Sequence, residues 1–242
     1  MIADKKPHDD IAQHDPYSPT ELAKHIDPIL YDALRILQYD RLARKQVTVV
    51  FWDVSGFSTL CKKFYNFEAS VNYFLRIYFE KAIEIIKKHN GVLDKFMGDG
   101  ILAYFGYNTI NGDPFSAIDA ALEFKEQFPT IKKQLDEYCE SSNRKKVPPI
   151  NLKCGIVNGP AFFHYFNTPT RNSVIVLGST LNFASRLEGR AKKNQIIVSE
   201  ELGDMIYENY KLRKMKIPED DRIQSYEEEE SVYVLEGKKR RE

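Results

Sequence analysis

Asp53 and Asp99 are the residues whose types and surroundings point most directly to chemistry. Asp53 stands in Phe51-Trp52-Asp53-Val54-Ser55-Gly56-Phe57-Ser58, after the β-branched and aromatic run 47–52, which reads as a buried strand ending at Asp53. A carboxylate at a strand's mouth, followed by amides that open a helix, can hold a metal ion and the phosphates it carries. For an isolated Asp there, capping the next helix is the preferred reading. Asp99 lies in Gly98-Asp99-Gly100, between apolar runs at 92–97 and 101–105 that read as a β-hairpin. In a strand–helix–hairpin order the first strand can lie beside the hairpin and bring the two carboxylates together. They would then repel strongly unless cations sat between them. Asn182 and Arg186, four apart after Gly178-Ser179-Thr180, share one face of a later helix.

The elements that must position these residues follow in order. Residues 1–17 are polar and mixed in charge, which predicts a disordered start. Ser18-Pro19-Thr20-Glu21 is a capping-box signature, opening a helical segment at 18–45 that is interrupted at Asp27-Pro28 and closed by Arg41, Arg44 and Lys45. A long helix is expected over 57–89, ended by Asn90-Gly91, and another over 113–137, kinked or divided by Pro129. After a polar loop at 140–149 come a strand at 150–157, a turn at Asn158-Gly159-Pro160 and a returning strand at 161–166. A strand at 173–177, a helix to about Arg190, a strand at 196–198 and a helix from Ser199 to near Tyr207 complete the centre. The end holds strands at 211–216 and 232–235, the acidic run 227–230 and the basic run 238–241. The fold class is α+β: a ferredoxin-like βαββαβ core with an added hairpin and helices, the helices covering one face of an antiparallel sheet. One domain spans 46–236, with a basic tail at 237–242.

The 242 residues carry no net charge, with Lys and Arg equal in number to Asp and Glu, which argues against a nucleic-acid partner. Cys61, Cys139 and Cys154 are odd in number and far apart, so neither a disulfide framework nor a zinc motif follows. The five histidines, His164 among them, show no metal-ligand spacing and read as structural or solvated. No apolar run approaches a membrane span and no signal peptide opens the chain, so a soluble cytoplasmic protein without a membrane partner is expected.

With Lys95-Phe96-Met97-Gly98-Asp99-Gly100, Gly155-Ile156-x-x-Gly159-Pro160 and Gly178-x-x-x-Asn182-x-x-x-Arg186-Leu187-Glu188 added to the Asp53 stretch, the sequence resembles the class III nucleotidyl cyclases, from about Val47 to Val198. The resemblance implies attack of a ribose 3′-hydroxyl on the α-phosphorus of a nucleoside triphosphate, closing a cyclic monophosphate and releasing pyrophosphate. It implies two Mg²⁺ or Mn²⁺ ions on Asp53 and Asp99, and β- and γ-phosphates on the amides of Val54, Ser55, Gly56, Phe57 and Ser58. Arg186 would stabilise charge on the α-phosphate and Asn182 would orient the ribose. It further implies a homodimer, each site taking its metal carboxylates from one chain and its base-reading residues, Asn and Arg from the other.

Base identity is where the resemblance divides. Lys95 matches the base-contacting lysine of adenylate cyclases, yet the position seven before Asn182, usually Asp, Thr or Ser there, is Ile175. An aliphatic side chain cannot accept from an adenine amino group. The guanine-reading pattern is absent as well. A pyrimidine nucleotide, UTP or CTP giving cUMP or cCMP, is the favoured reading, as in the compact cyclases of Pycsar antiphage systems. An adenylate cyclase making cAMP with an altered pocket and an inactive dimerising domain are the alternatives. Lys214 and Lys216 are candidates for a phosphate-binding lysine, with a solvated role preferred.

Overall fold

The computed structural model describes residues 43–64, 68–142, 146–168, 171–217 and 231–239. The expected polar start, the helical segment as far as residue 42, the acidic run 227–230 and the last three residues lie outside the described residues. Arg44 and Lys45, expected to close that helical segment, belong instead to β1 (Ala43–Ser55).

β1 is followed by α1 (Phe57–Lys63) and α2 (Glu68–Lys88), so the single helix expected over 57–89 is two, the first capped at Phe64. β2 (Gly91–Met97) and β3 (Gly100–Phe105) form the expected hairpin. α3 (Pro114–Ser141) is one continuous helix through Pro129, longer than expected. The lost backbone bond at Pro129 is outweighed by an apolar stripe, Phe124, Phe128, Ile131, Leu135 and Cys139, buried on both sides of it.

β4 (Asn151–Thr168) also runs unbroken, where a turn at Asn158-Gly159-Pro160 was expected. The Asn158 amide is buried and works inside the sheet, donating to Thr48 Oγ1 at 2.8 Å and accepting from Gln46 Nε2 at 2.7 Å. Pro160 falls between the stretches of β4 paired with β6 and with β5, where a missing N–H costs least. β5 (Arg171–Leu177), α4 (Ser179–Arg190), β6 (Ile196–Ser199), α5 (Glu200–Ile206), β7 (Tyr210–Lys216) and β8 (Ser231–Lys238) follow. Ser199 caps α5, its hydroxyl accepting from the Leu202 N–H.

The sheet order is β2-β3-β1-β4-β6-β8-β7, with β5 paired to β4. Its first four strands carry the ferredoxin-like order, and all pairs are antiparallel except β4 with β6. Two cores flank the sheet. On one face α2, α3 and α5 cover Val50, Trp52, Ile156 and Val198; on the other α4 covers Val47, Val49, Val157 and Ile197. The expectation of helices over one face is therefore corrected: α4 holds the opposite face. No helix among the described residues is long and apolar enough to cross a membrane, and all three cysteines are free.

Candidate active site

β3 lies between β2 and β1, with Ile101 opposite Trp52, so the Gly98-Asp99 turn arrives at the end of β1. There the Val54 N–H donates to Asp99 Oδ2 at 3.2 Å. The Asp99 carboxyl is pushed up to about 6, first by burial and next by the charge of Asp53. The sequence-expected meeting of the two carboxylates is thus present in the fold. β1 does not end at Asp53 as expected but two residues later, where Gly56, at φ 91°, turns the chain into α1. A Cβ at Gly56 would stand 2.5 Å from the Pro149 carbonyl oxygen.

Two further charged groups join the carboxylates. Lys153, opposite Asp53 in the β1–β4 register, places its Nζ 3.6 Å from Asp53 Oδ2 and 2.5 Å from Glu188 Oε1. Glu188 is 7 % exposed; burial raises its carboxyl above the usual range and the Lys153 hydrogen bond opposes that rise. Sequence reasoning missed Lys153. The signal was there: it is the one charged residue in the apolar run 150–157. Lys214, by contrast, is ion-paired with Glu200 and lies over the Tyr233 ring, on the edge strand β7 four places along the sheet from β1.

The glycines of Gly155-Ile156-x-x-Gly159 set α4 on the sheet. A Cβ at Gly155 would meet the Ala184 carbonyl oxygen at 2.1 Å, and one at Gly159 would meet Thr180 Oγ1 at 2.6 Å. Thr180 Oγ1 also donates to the Pro160 carbonyl at 2.7 Å. So seated, α4 buries Phe183, Leu187 and Glu188 and exposes Asn182 and Arg186. Arg186 is two residues, about 200° of helix rotation, from Glu188, so it faces away from the carboxylates of its own chain.

The other expected site residues are placed as follows. The Val54 amide serves Asp99, and Ser55 Oγ donates to the Asn151 carbonyl at 3.3 Å within the β1–β4 pairing. Of the stretch expected to bind phosphates, Gly56, Phe57 and Ser58 lie beyond the strand at the opening of α1. Lys95 is exposed on β2, 3.3 Å from Asp94 Oδ2; burial raises the Asp94 carboxyl and Lys95 opposes this. Ile175 is 36 % exposed on β5.

Among the described residues no group of three or more His, Cys, Asp or Glu is placed to hold a metal ion. The donor set is two carboxylates, that of Asp99 raised first by burial and then by the charge of Asp53, and hard oxygen donors of this kind fit Mg²⁺ or Mn²⁺.

Two aspartates thus meet at one strand end of an α+β fold, with an Asn–Arg helix face turned outward. The family model described as the adenylate and guanylate cyclase catalytic domain matches residues 40–237, and the chain belongs to that family. It is similar to an adenylate cyclase of Anabaena cylindrica, 25% identical over 170 residues, 70% of this chain and 32% of that protein. It is also similar to a cytidylate cyclase of Staphylococcus aureus, 25% identical over 193 residues, 77% of this chain and 42% of that protein. The chain thus spans less than half the length of these relatives. Among solved structures, the adenylyl cyclase CyaB from P. aeruginosa superposes with a TM-score of 0.71 at 24% identity, over 83% of this chain and 98% of that one.

Proposed function

We propose that this chain cyclises a nucleoside triphosphate to a 3′,5′-cyclic monophosphate, releasing pyrophosphate, as a homodimer with sites shared between the copies. The observation that carries the reading is the convergence of Asp53, Asp99 and Lys153 at the end of β1. Asp53 and Asp99 are the residues that would hold two divalent cations, whose chemistry is to acidify the 3′-hydroxyl and neutralise the leaving phosphates. Lys153, tethered by Glu188, is positioned to pair with phosphate oxygens once Asp53 is otherwise engaged. The amides of Ser55, Gly56, Phe57 and Ser58 are proposed to bind the same phosphates, with that of Val54 joining them where it leaves Asp99. Arg186 of the second copy stabilises the charge that builds on the α-phosphate, and Asn182 of that copy holds the ribose. The outward aspect of both residues supports their use in trans.

The base is proposed to be a pyrimidine, with Lys95 and Ile175 lining its pocket. The exposed, aliphatic Ile175 and the likeness to a cytidylate cyclase support this. A cyclic pyrimidine product would suit second-messenger signalling of the antiphage kind in a cytoplasmic protein. The test is incubation of the full chain with Mn²⁺ and each of ATP, GTP, CTP and UTP, with products identified by mass spectrometry. cCMP or cUMP is the expected product. cAMP alone would replace the pyrimidine reading by an adenylate cyclase with an altered pocket. No product from a dimeric protein would replace the enzyme by an inactive domain.

A further inference from the structure

Asn182, Arg186 and Arg190 follow one another at four-residue spacing on α4. Each such step advances about 6 Å along a helix and about 40° around it. Arg190 therefore stands about 40° from the exposed Arg186 and about 20° from Phe183, which is fully buried. It is half-buried, at the rim between the packed and outward sides of α4. Its Nη1 is closed off from solvent without a hydrogen-bond partner, and no ion pair joins Arg190 to any of the described residues. Other cations of this fold are matched: Lys153 with Glu188, Arg213 with Glu236 and Lys238 with Asp119. The last turn of a helix suits a cation, but the helix dipole gives a buried N–H no acceptor. A guanidinium nitrogen kept from water and left unpaired is destabilising, and an incoming anion would offset that cost.

We infer that Arg190 of the second copy binds the β-phosphate of the nucleotide, one helical turn beyond Arg186 at the α-phosphate. The inference rests on the proposed reading of Asn182 and Arg186 as residues that act in trans. On that reading Asn182 holds the ribose and Arg186 the α-phosphate, so the direction of α4 follows the substrate from sugar to phosphates. The next turn in that direction carries Arg190. The planar fork of arginine can give two N–H donors to one phosphate group. In the cyclisation the 3′-oxygen bonds to the α-phosphorus and releases its proton to solvent. The bond from that phosphorus to the oxygen bridging to the β-phosphate breaks, and its electron pair leaves with pyrophosphate. Negative charge therefore builds on the β-phosphate, where the Arg190 guanidinium neutralises it. Lys153, on the proposed reading, meets the same phosphates from the first copy, so cations of both chains hold the leaving group.

The experiment compares wild type, Arg190→Ala and Arg190→Lys as full chains, with the oligomeric state of each measured by sedimentation at the assay concentration. Binding in Mn²⁺ is measured with pyrophosphate, with the 3′-deoxynucleoside triphosphate that wild type binds best, and with its monophosphate. The deoxy forms lack the attacking hydroxyl and cannot be cyclised. Arg190→Ala should weaken pyrophosphate and triphosphate binding about 10- to 100-fold and leave the monophosphate, which has no β-phosphate, unchanged. Turnover should fall by a similar factor, and Arg190→Lys should recover part of both losses. Arg190→Ala mixed with Asp53→Ala should regain about a quarter of wild-type activity. Mixed with Arg186→Ala it should regain none beyond that of the variants alone, because both arginines come from the same copy. An unchanged affinity for pyrophosphate, an equal loss for the monophosphate, or an Arg190→Ala variant that no longer dimerises overturns the inference. The two readings fail separately. A wild type that forms no cyclic product refutes the cyclase proposal, while the binding contrast still decides the role of Arg190. A wild type that cyclises, with binding indifferent to residue 190, does the reverse.

Discussion

The Val54 N–H donates to Asp99 Oδ2 at 3.2 Å across 45 positions of sequence, tying the β2–β3 turn to the end of β1. This bond holds Asp99 against the charge of Asp53, so the fold stores repulsion where a cation is expected to bind. Asp99→Asn keeps an acceptor for Val54 and removes the repulsion. It should stabilise the cation-free protein by about 1 kcal/mol, after allowance for solvent screening at a half-buried site. It should also lose the thermal shift that Mn²⁺ gives wild type and at least about 100-fold of the turnover. Thermal unfolding with and without Mn²⁺, beside a product assay, checks all three.

Lys153 is the cation that makes Glu188 tolerable in the protein interior. Lys153→Met should cost about 2–3 kcal/mol in urea unfolding, because it leaves a buried carboxyl without its partner. Lys153→Arg should recover most of that loss. Where both variants fold, the Met variant should show the larger rise in KM for the nucleotide.

Gly155→Ala would drive a methyl group to 2.1 Å from the Ala184 carbonyl oxygen, pushing α4 off β4. A loss of about 2 kcal/mol or more is expected, with lower turnover because α4 carries Asn182 and Arg186. Gly189→Ala is the matched control within the same helix. A Cβ there meets nothing within 4 Å, and stability should hold or rise slightly.

Glu123 accepts from Lys88 at 2.8 Å and lies 2.8 Å from His89 Nε2. These contacts, Lys88 first, pull its carboxyl below the usual glutamate range. A carboxyl lowered in the folded state adds stability that is present above its unfolded pKa and fades as pH falls through its folded one. Glu123→Gln should therefore cost about 1 kcal/mol at neutral pH, with the difference closing as acid titrates the group. Paired denaturation curves across pH 3 to 7 measure this, and a constant gap would contradict it.

Site sharing has a direct mixing test. Asp53→Ala and Arg186→Ala should each be nearly inactive as homodimers. Mixed in equal amounts and allowed to exchange, half the dimers carry one intact site of two, so about a quarter of wild-type activity should return. Activity that stays at the level of either variant alone would mean the two residues serve the same chain.

Much of this architecture is legible in local sequence. The Asp53 strand, the Gly98-Asp99 hairpin and the Asn182–Arg186 face are set by short-range patterns of apolar residues and turn glycines. What misled were residues whose partners are distant. Pro129 reads as a helix breaker until the stripe buried on both sides of it is seen. Asn158-Gly159-Pro160 reads as a turn because nothing local shows Thr48 and Gln46 taking up the Asn158 amide, or Thr180 filling the space over Gly159. Lys153 and Glu188 are 35 positions apart, and only the seating of α4 makes them a pair. Ile175 stands out in sequence for what it lacks, whereas its neighbour across the strand pair is shown only by register.

β4 also acts as a ruler. Lys153 and His164 stand on the same unbroken strand, eleven residues apart, a separation of about 36 Å at the usual rise per residue. That is well beyond the span of one nucleotide. Phosphates held near Lys153 and a base held near Ile175, the residue paired with His164, would therefore belong to different molecules of substrate. Had the strand folded back at Asn158, both ends could have met over a single ligand. Running on unbroken, it sets its two ends so far apart that, on the proposed reading, each chain contributes to two different sites.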